Sequence, residues 1–125
     1  MLFVEDNVIY LTKGDDGVLP VDVSSGDEAY VMGEQDMLTL TVRMQPSAEF
    51  PVLLEVKSTP GSNRIIFNAA DTKDLEPGEY SADIQLTDGN GKVCTVWPDW
   101  SAVAASKRYR VKNIENFVIM PEVTV

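Results

Sequence analysis

Asp71, Asp74, Glu76 and Glu79 crowd into nine residues, and Asp83 follows four residues later. Carboxylates this close could hold a hard cation, or face each other across a scissile glycosidic bond. Two smaller groups raise the same question: Asp15 and Asp16 between Gly14 and Gly17, and the run Asp88-Gly89-Asn90-Gly91. The second begins like a calcium loop but breaks the pattern at once. Lys92 stands where an oxygen ligand is needed and Val93 where the loop needs glycine. A hairpin turn is the better reading, because Asp-Gly and Asn-Gly tolerate positive φ. Gly14 to Gly17 likewise reads as a turn between strands before it reads as a metal site.

What the chain lacks narrows the chemistry further. Among its 125 residues there is no histidine, so no Ser-His-Asp or Cys-His site can be assembled. The single cysteine, Cys94, lies between Val93 and Thr95 and is expected to be a buried, inert side chain. Twenty acidic residues guarantee that some carboxylate pair exists, so the presence of one carries no signal. No enzyme activity, cofactor or metal is expected. The net charge of −10 argues against a nucleic acid or an anionic membrane as partner.

Two indoles and a basic cluster are candidates for contact instead. Trp97 and Trp100 bracket Pro98 and Asp99, and exposed they would anchor a protein contact or stack on a sugar. Closing the end of the core is their more ordinary use. Lys107, Arg108, Arg110 and Lys112, with Tyr109 among them, hold four of the ten basic residues. Such a patch on an acidic body would steer a partner, or would simply discourage pairing at a strand edge.

The elements that must position these groups read as short strands. Leu38, Leu40, Val42 and Met44 share one face of a run and Thr39, Thr41 and Arg43 the other. Val52 to Lys57 and Tyr80 to Thr87 alternate in the same way, which leaves Asp83 facing outward. Further strands are expected at Val8 to Thr12, Val18 to Val23, Glu28 to Met32, Arg64 to Phe67, Lys92 to Trp97, Tyr109 to Lys112 and Phe117 to Val125. Gly and Pro separate nearly all of them. Asp99 to Arg108 breaks the rhythm and is expected to be a loop with a helical turn. The size fits one domain, residues 1–125, of all-β class. The opening residues lack the basic start of a signal peptide.

In order along the chain, these segments resemble a known pattern. Thr12-Lys13-Gly14-Asp15 is similar to a "T-[RK]-G-D" opening, and Asp36 precedes a strand that runs LTLTVR. Asp71-Thr72, Leu75, Gly78, Tyr80, Asp83 and Ile84 match "D-T-x-x-L-x-x-G-x-Y-x-[YF]-D-[IL]", with Ala82 in place of the aromatic. Val93-Cys94-Thr95 and a closing Phe117 to Thr124 follow. The whole resembles the immunoglobulin-like N-terminal domain of bacteriophage baseplate upper proteins and related tail-tip proteins.

The resemblance implies an immunoglobulin-like antiparallel β-sandwich with a longer irregular segment before the last strand. It implies a structural adaptor of a virion tail, made in the host cytoplasm. Its partners would be other tail or baseplate proteins, or copies of itself in the assembled particle. Gly14, Asp15, Asp36, Asp71, Thr72, Gly78, Tyr80 and Asp83 would then be structural, with Tyr80 as a tyrosine-corner residue. A carbohydrate- or cell-surface-binding module is the alternative, and a small hydrolase with paired carboxylates is a third reading.

Overall fold

Strict alternation produces the longest elements of the computed structural model, which describes residues 1–25, 28–45, 47, 49–97 and 116–122. In β6 (Met37–Arg43), Leu38, Leu40 and Val42 are buried while the residues between them are half-buried. In β9 (Gly78–Thr87), Tyr80, Ala82, Ile84 and Leu86 are buried. Seven residue pairs join these two strands without a break, from Met37 opposite Thr87 to Arg43 opposite Ser81.

The other elements follow the punctuation. β2 (Val8–Thr12) and β8 (Arg64–Phe67) have the expected bounds. β3 (Gly17–Pro20), β5 (Glu28–Ala29) and β7 (Leu54–Lys57) are shorter than expected. In β3, Pro20 has no N–H to extend the ladder. β10 (Val93–Trp97) and β11 (Phe117–Met120) complete the set, the latter stopping before Pro121. The expected strand Tyr109 to Lys112, the helical turn within 99–108 and the end of the last strand at 123–125 lie outside the described residues.

Three elements were not expected. β1 (Leu2–Glu5) forms a hairpin with β2 across Asp6 and Asn7, both at positive φ, 51° and 63°. Asp and Asn accept that conformation more readily than other non-glycine residues. β4 (Ser24–Ser25) pairs with β5. One helical turn, α1 (Ala69–Thr72), starts after Asn68, whose N–H donates to Asp71 Oδ2 at 2.6 Å.

The large sheet runs β1-β2-β11-β9-β6-β7, with β10 also on β9. It is not wholly antiparallel, as had been expected. β11 pairs with β2 in parallel, Phe117 opposite Ile9 through Met120 opposite Thr12. A parallel pair needs a long crossover, and here nearly the whole chain intervenes. β3 and β8 form a second, two-stranded sheet. Leu19, Ile65 and Phe67 from it join Ile9, Leu11, Leu38, Leu40 and Phe117 from the large sheet in one buried cluster. The rings of Phe67 and Phe117 meet across the layers at 6.1 Å. Each fully buried side chain of this size contributes about 1.5–3 kcal/mol. At one corner the layers approach closely: a Cβ on Gly17 would lie 3.0 Å from that of Leu2.

Candidate functional site

Three of the acidic side chains that could have done chemistry, those of Asp15, Asp16 and Asp71, are engaged in holding the chain. Gly14, at φ +79°, donates its N–H to Thr72 Oγ1 at 3.0 Å, and Thr72 is fully buried. Asp16 Oδ1 accepts from Ala69 N at 2.7 Å, at the start of α1. Asp71 Oδ2 closes the same turn onto Asn68 N. Asp15 pairs with the Met1 amino group. Lys13 N donates to Met120 O at 3.0 Å, tying β11 to the same pole. The Thr12-to-Asp15 and Asp71-Thr72 segments, 58 residues apart at Gly14 and Thr72, thus form one clasp. Among the described residues, no group of three or more Asp, Glu, His or Cys is placed to hold a metal ion.

Asp36 anchors a second knot. Its carboxylate accepts from Tyr30 Oη at 2.6 Å and Gly33 N at 2.8 Å, and its carbonyl accepts from Gly61 N at 2.8 Å. The Tyr30 hydroxyl, helped by the Gly33 N–H, holds the Asp36 carboxyl below the usual carboxylate range despite its burial. The same hydrogen bond pushes the Tyr30 phenol up.

Gly78 opens β9 opposite Ile119. Tyr80 is buried and donates its hydroxyl to the Glu76 carbonyl, four residues upstream. Burial pushes its phenol up. Asp83 lies opposite Thr41 on the face away from the core, as the alternation predicts. It is half-buried there, and burial raises its carboxyl more than nearby Arg43 lowers it. The Asp88 turn is a hairpin: Asp88 Oδ1 accepts from both Asn90 N and Lys92 N.

One expectation needs correction. Cys94 is exposed, in a strand that pairs only with β9 among the described residues. Trp97 is partly buried, packed against the core. A bulge between Thr95 and Trp97 shifts the register, so Trp97 lies opposite the buried Ile84. Without the extra residue it would fall opposite Asp83, on the other face. The remaining contact candidates, Trp100, Lys107, Arg108, Tyr109 and Arg110, lie outside the described residues.

Sequence reasoning missed Asn116. Its side-chain amide accepts from Ala82 N at 2.6 Å and donates to Ala82 O at 2.8 Å. Its backbone N–H donates to Tyr80 O, and its carbonyl accepts from Ile9 N. A side chain here takes the place of a strand partner between Phe117, opposite Tyr80, and Trp97, opposite Ile84. The only available signal was an Asn directly before an apolar strand.

Comparison with protein-family models, with curated proteins and with solved structures finds no match.

Proposed function

We propose that this chain is a non-enzymatic adaptor module of a phage or prophage tail baseplate, built as an immunoglobulin-like β-sandwich. The observation that carries the reading is the clasp. The segments that supply the resemblance, Thr12 to Asp15 and Asp71-Thr72, are far apart in sequence and meet at Gly14 N and Thr72 Oγ1. The bond from Tyr80 to upstream backbone has the form of a tyrosine corner, which supports the immunoglobulin-like assignment. With no histidine and with carboxylates bound to backbone N–H groups, assembly is a better use of this surface than catalysis.

The mechanism is docking of rigid copies on a symmetric ring or fibre. Register comes from opposite charges, with Lys107, Arg108 and Arg110 as the basic side and Trp100 and Tyr109 as apolar anchors. Trp97 stays in this set through its exposed part, the rest of the side chain being packed against the core.

A carbohydrate platform would need open aromatic faces. The Phe3 and Tyr10 rings stack on each other at 4.7 Å and 12°, so each already covers one face of the other. Immunogold electron microscopy of particles induced from the source bacterium tests the assignment. Label at the distal tail is expected. Clean particles alongside antigen in cells or medium would overturn it.

A further inference from the structure

The stretch after β5 is bonded along one side only. Ser24 lies opposite Ala29, and Tyr30 N donates to Val23 O at 2.8 Å. Backbone groups in an antiparallel pair turn alternately toward the partner and away from it. Ala29 therefore turns its N–H and C=O groups to the far edge, and Val31 follows one residue beyond the last bond of the hairpin. No described residue bonds to Val31 there, and its relative exposure is 85%.

This edge is braced from behind. The Asp36 carboxylate holds the Tyr30 hydroxyl and Gly33 N–H, and Gly61 N–H holds the Asp36 carbonyl. The same stretch lines a groove with Val21, Val23 and Met32, opposite Gly61 and Asn63. Charge at the groove is mainly acidic. Among the described residues exposed Asp22 lines it and no Lys or Arg does; exposed Glu28 and Glu34 flank its Tyr30–Met32 wall in sequence, and exposed Arg64 follows Asn63.

We propose that this edge and groove are a docking surface for an extended segment of a partner protein, apolar at alternate positions and flanked by Lys or Arg. The segment adds a strand beside Ala29–Val31. Main-chain pairing supplies affinity, the groove takes alternate side chains, and the acids draw in the basic flanks. A fixed edge binds with less ordering cost than a loose one. This goes beyond the baseplate reading and does not depend on it.

The test is fluorescence anisotropy with the full chain and a fluorescein-labelled peptide, KRTVTVRK. Saturable binding is expected, falling as salt rises toward roughly 0.5 M. Val31→Pro removes one N–H at an exposed site and is expected to weaken binding about tenfold. Methylating alternate peptide nitrogens tests the same pairing against the unaltered protein, with the same expected loss. Absence of binding would overturn the proposal. So would equal binding of the N-methylated peptide or of one flanked by Glu. A dimer in sedimentation velocity that Val31→Pro dissolves would also overturn it, by assigning the edge to a second copy.

Discussion

The two edges of β9 are built in opposite ways. Along one, β6 supplies seven consecutive partners, from Ser81 to Thr87. Along the other, three separate pieces share the work: β11 as far as Tyr80, the Asn116 amide at Ala82, and β10 from Ile84 onward. Both edges carry their pairing along this stretch. The first does so by repetition and the second by a polar side chain placed at the gap. A continuous edge draws its strength from packing, because its alternation places three apolar side chains in the core. An interrupted edge depends on one residue, because a buried N–H or C=O without a partner costs about 1–3 kcal/mol.

That contrast can be broken from either side. Leu40→Ala, at a fully buried position of β6, should cost about 2–5 kcal/mol in urea denaturation. Asn116→Ala should cost about 2–4 kcal/mol, because it orphans both Ala82 N and Ala82 O. If Asn116→Ala were as mild as an exposed substitution, the amide would not be closing the ladder. Tyr80→Phe, which removes only the bond to Glu76 O, should cost about 1 kcal/mol by the same measurement. Hydrogen exchange would sharpen the comparison. The Asp83 and Gln85 amides turn toward β6 and should exchange more slowly than Leu86, which turns toward β10, a strand with no second partner among the described residues.

Two carboxylates give a further, smaller test through pH, with opposite signs. The folded state lowers the Asp36 pKa below its ordinary value of 3.8. Its contribution is therefore present above 3.8 and is lost as pH falls through the lower, folded value. Burial raises the Asp83 pKa above 3.8. Its relative benefit is present below 3.8 and is lost as pH rises through the raised, folded value. Stability curves of Asp36→Asn and Asp83→Asn against pH should accordingly differ from the parent in opposite directions. Asp36→Asn should remove part of the acid-side loss, and Asp83→Asn should be neutral or stabilising at pH 7.

The all-β class and most of the framework were legible because strand periodicity is local. Met37 to Met44 and Tyr80 to Thr87 alternate so plainly that their inward faces could be named, and the Asp88 turn announced itself. The β1–β2 hairpin was not legible, since its Asp6-Asn7 turn lacks the glycine that marks such turns. Cys94 was misplaced for a different reason: an apolar neighbourhood in sequence does not say whether a strand is central or at an edge. Trp97 shows the same limit, because the bulge before it changes its face without leaving a mark in the residue types.

Residue types alone tell what this chain can do locally. It alternates, turns at Gly, Asp and Asn, and lacks the histidine that most acid–base sites require. Which distant groups meet follows from how the strands pack. Thr72 finds Gly14, Asp16 finds Ala69, and Asn116 finds Ala82, each across more than thirty residues. Hydrogen-bonding capacity is written in a residue's type, but its partner is fixed by the packing of other strands. That is why Asp71 and Asp16 look like chemistry in sequence while in the fold each accepts a backbone N–H at the start of α1.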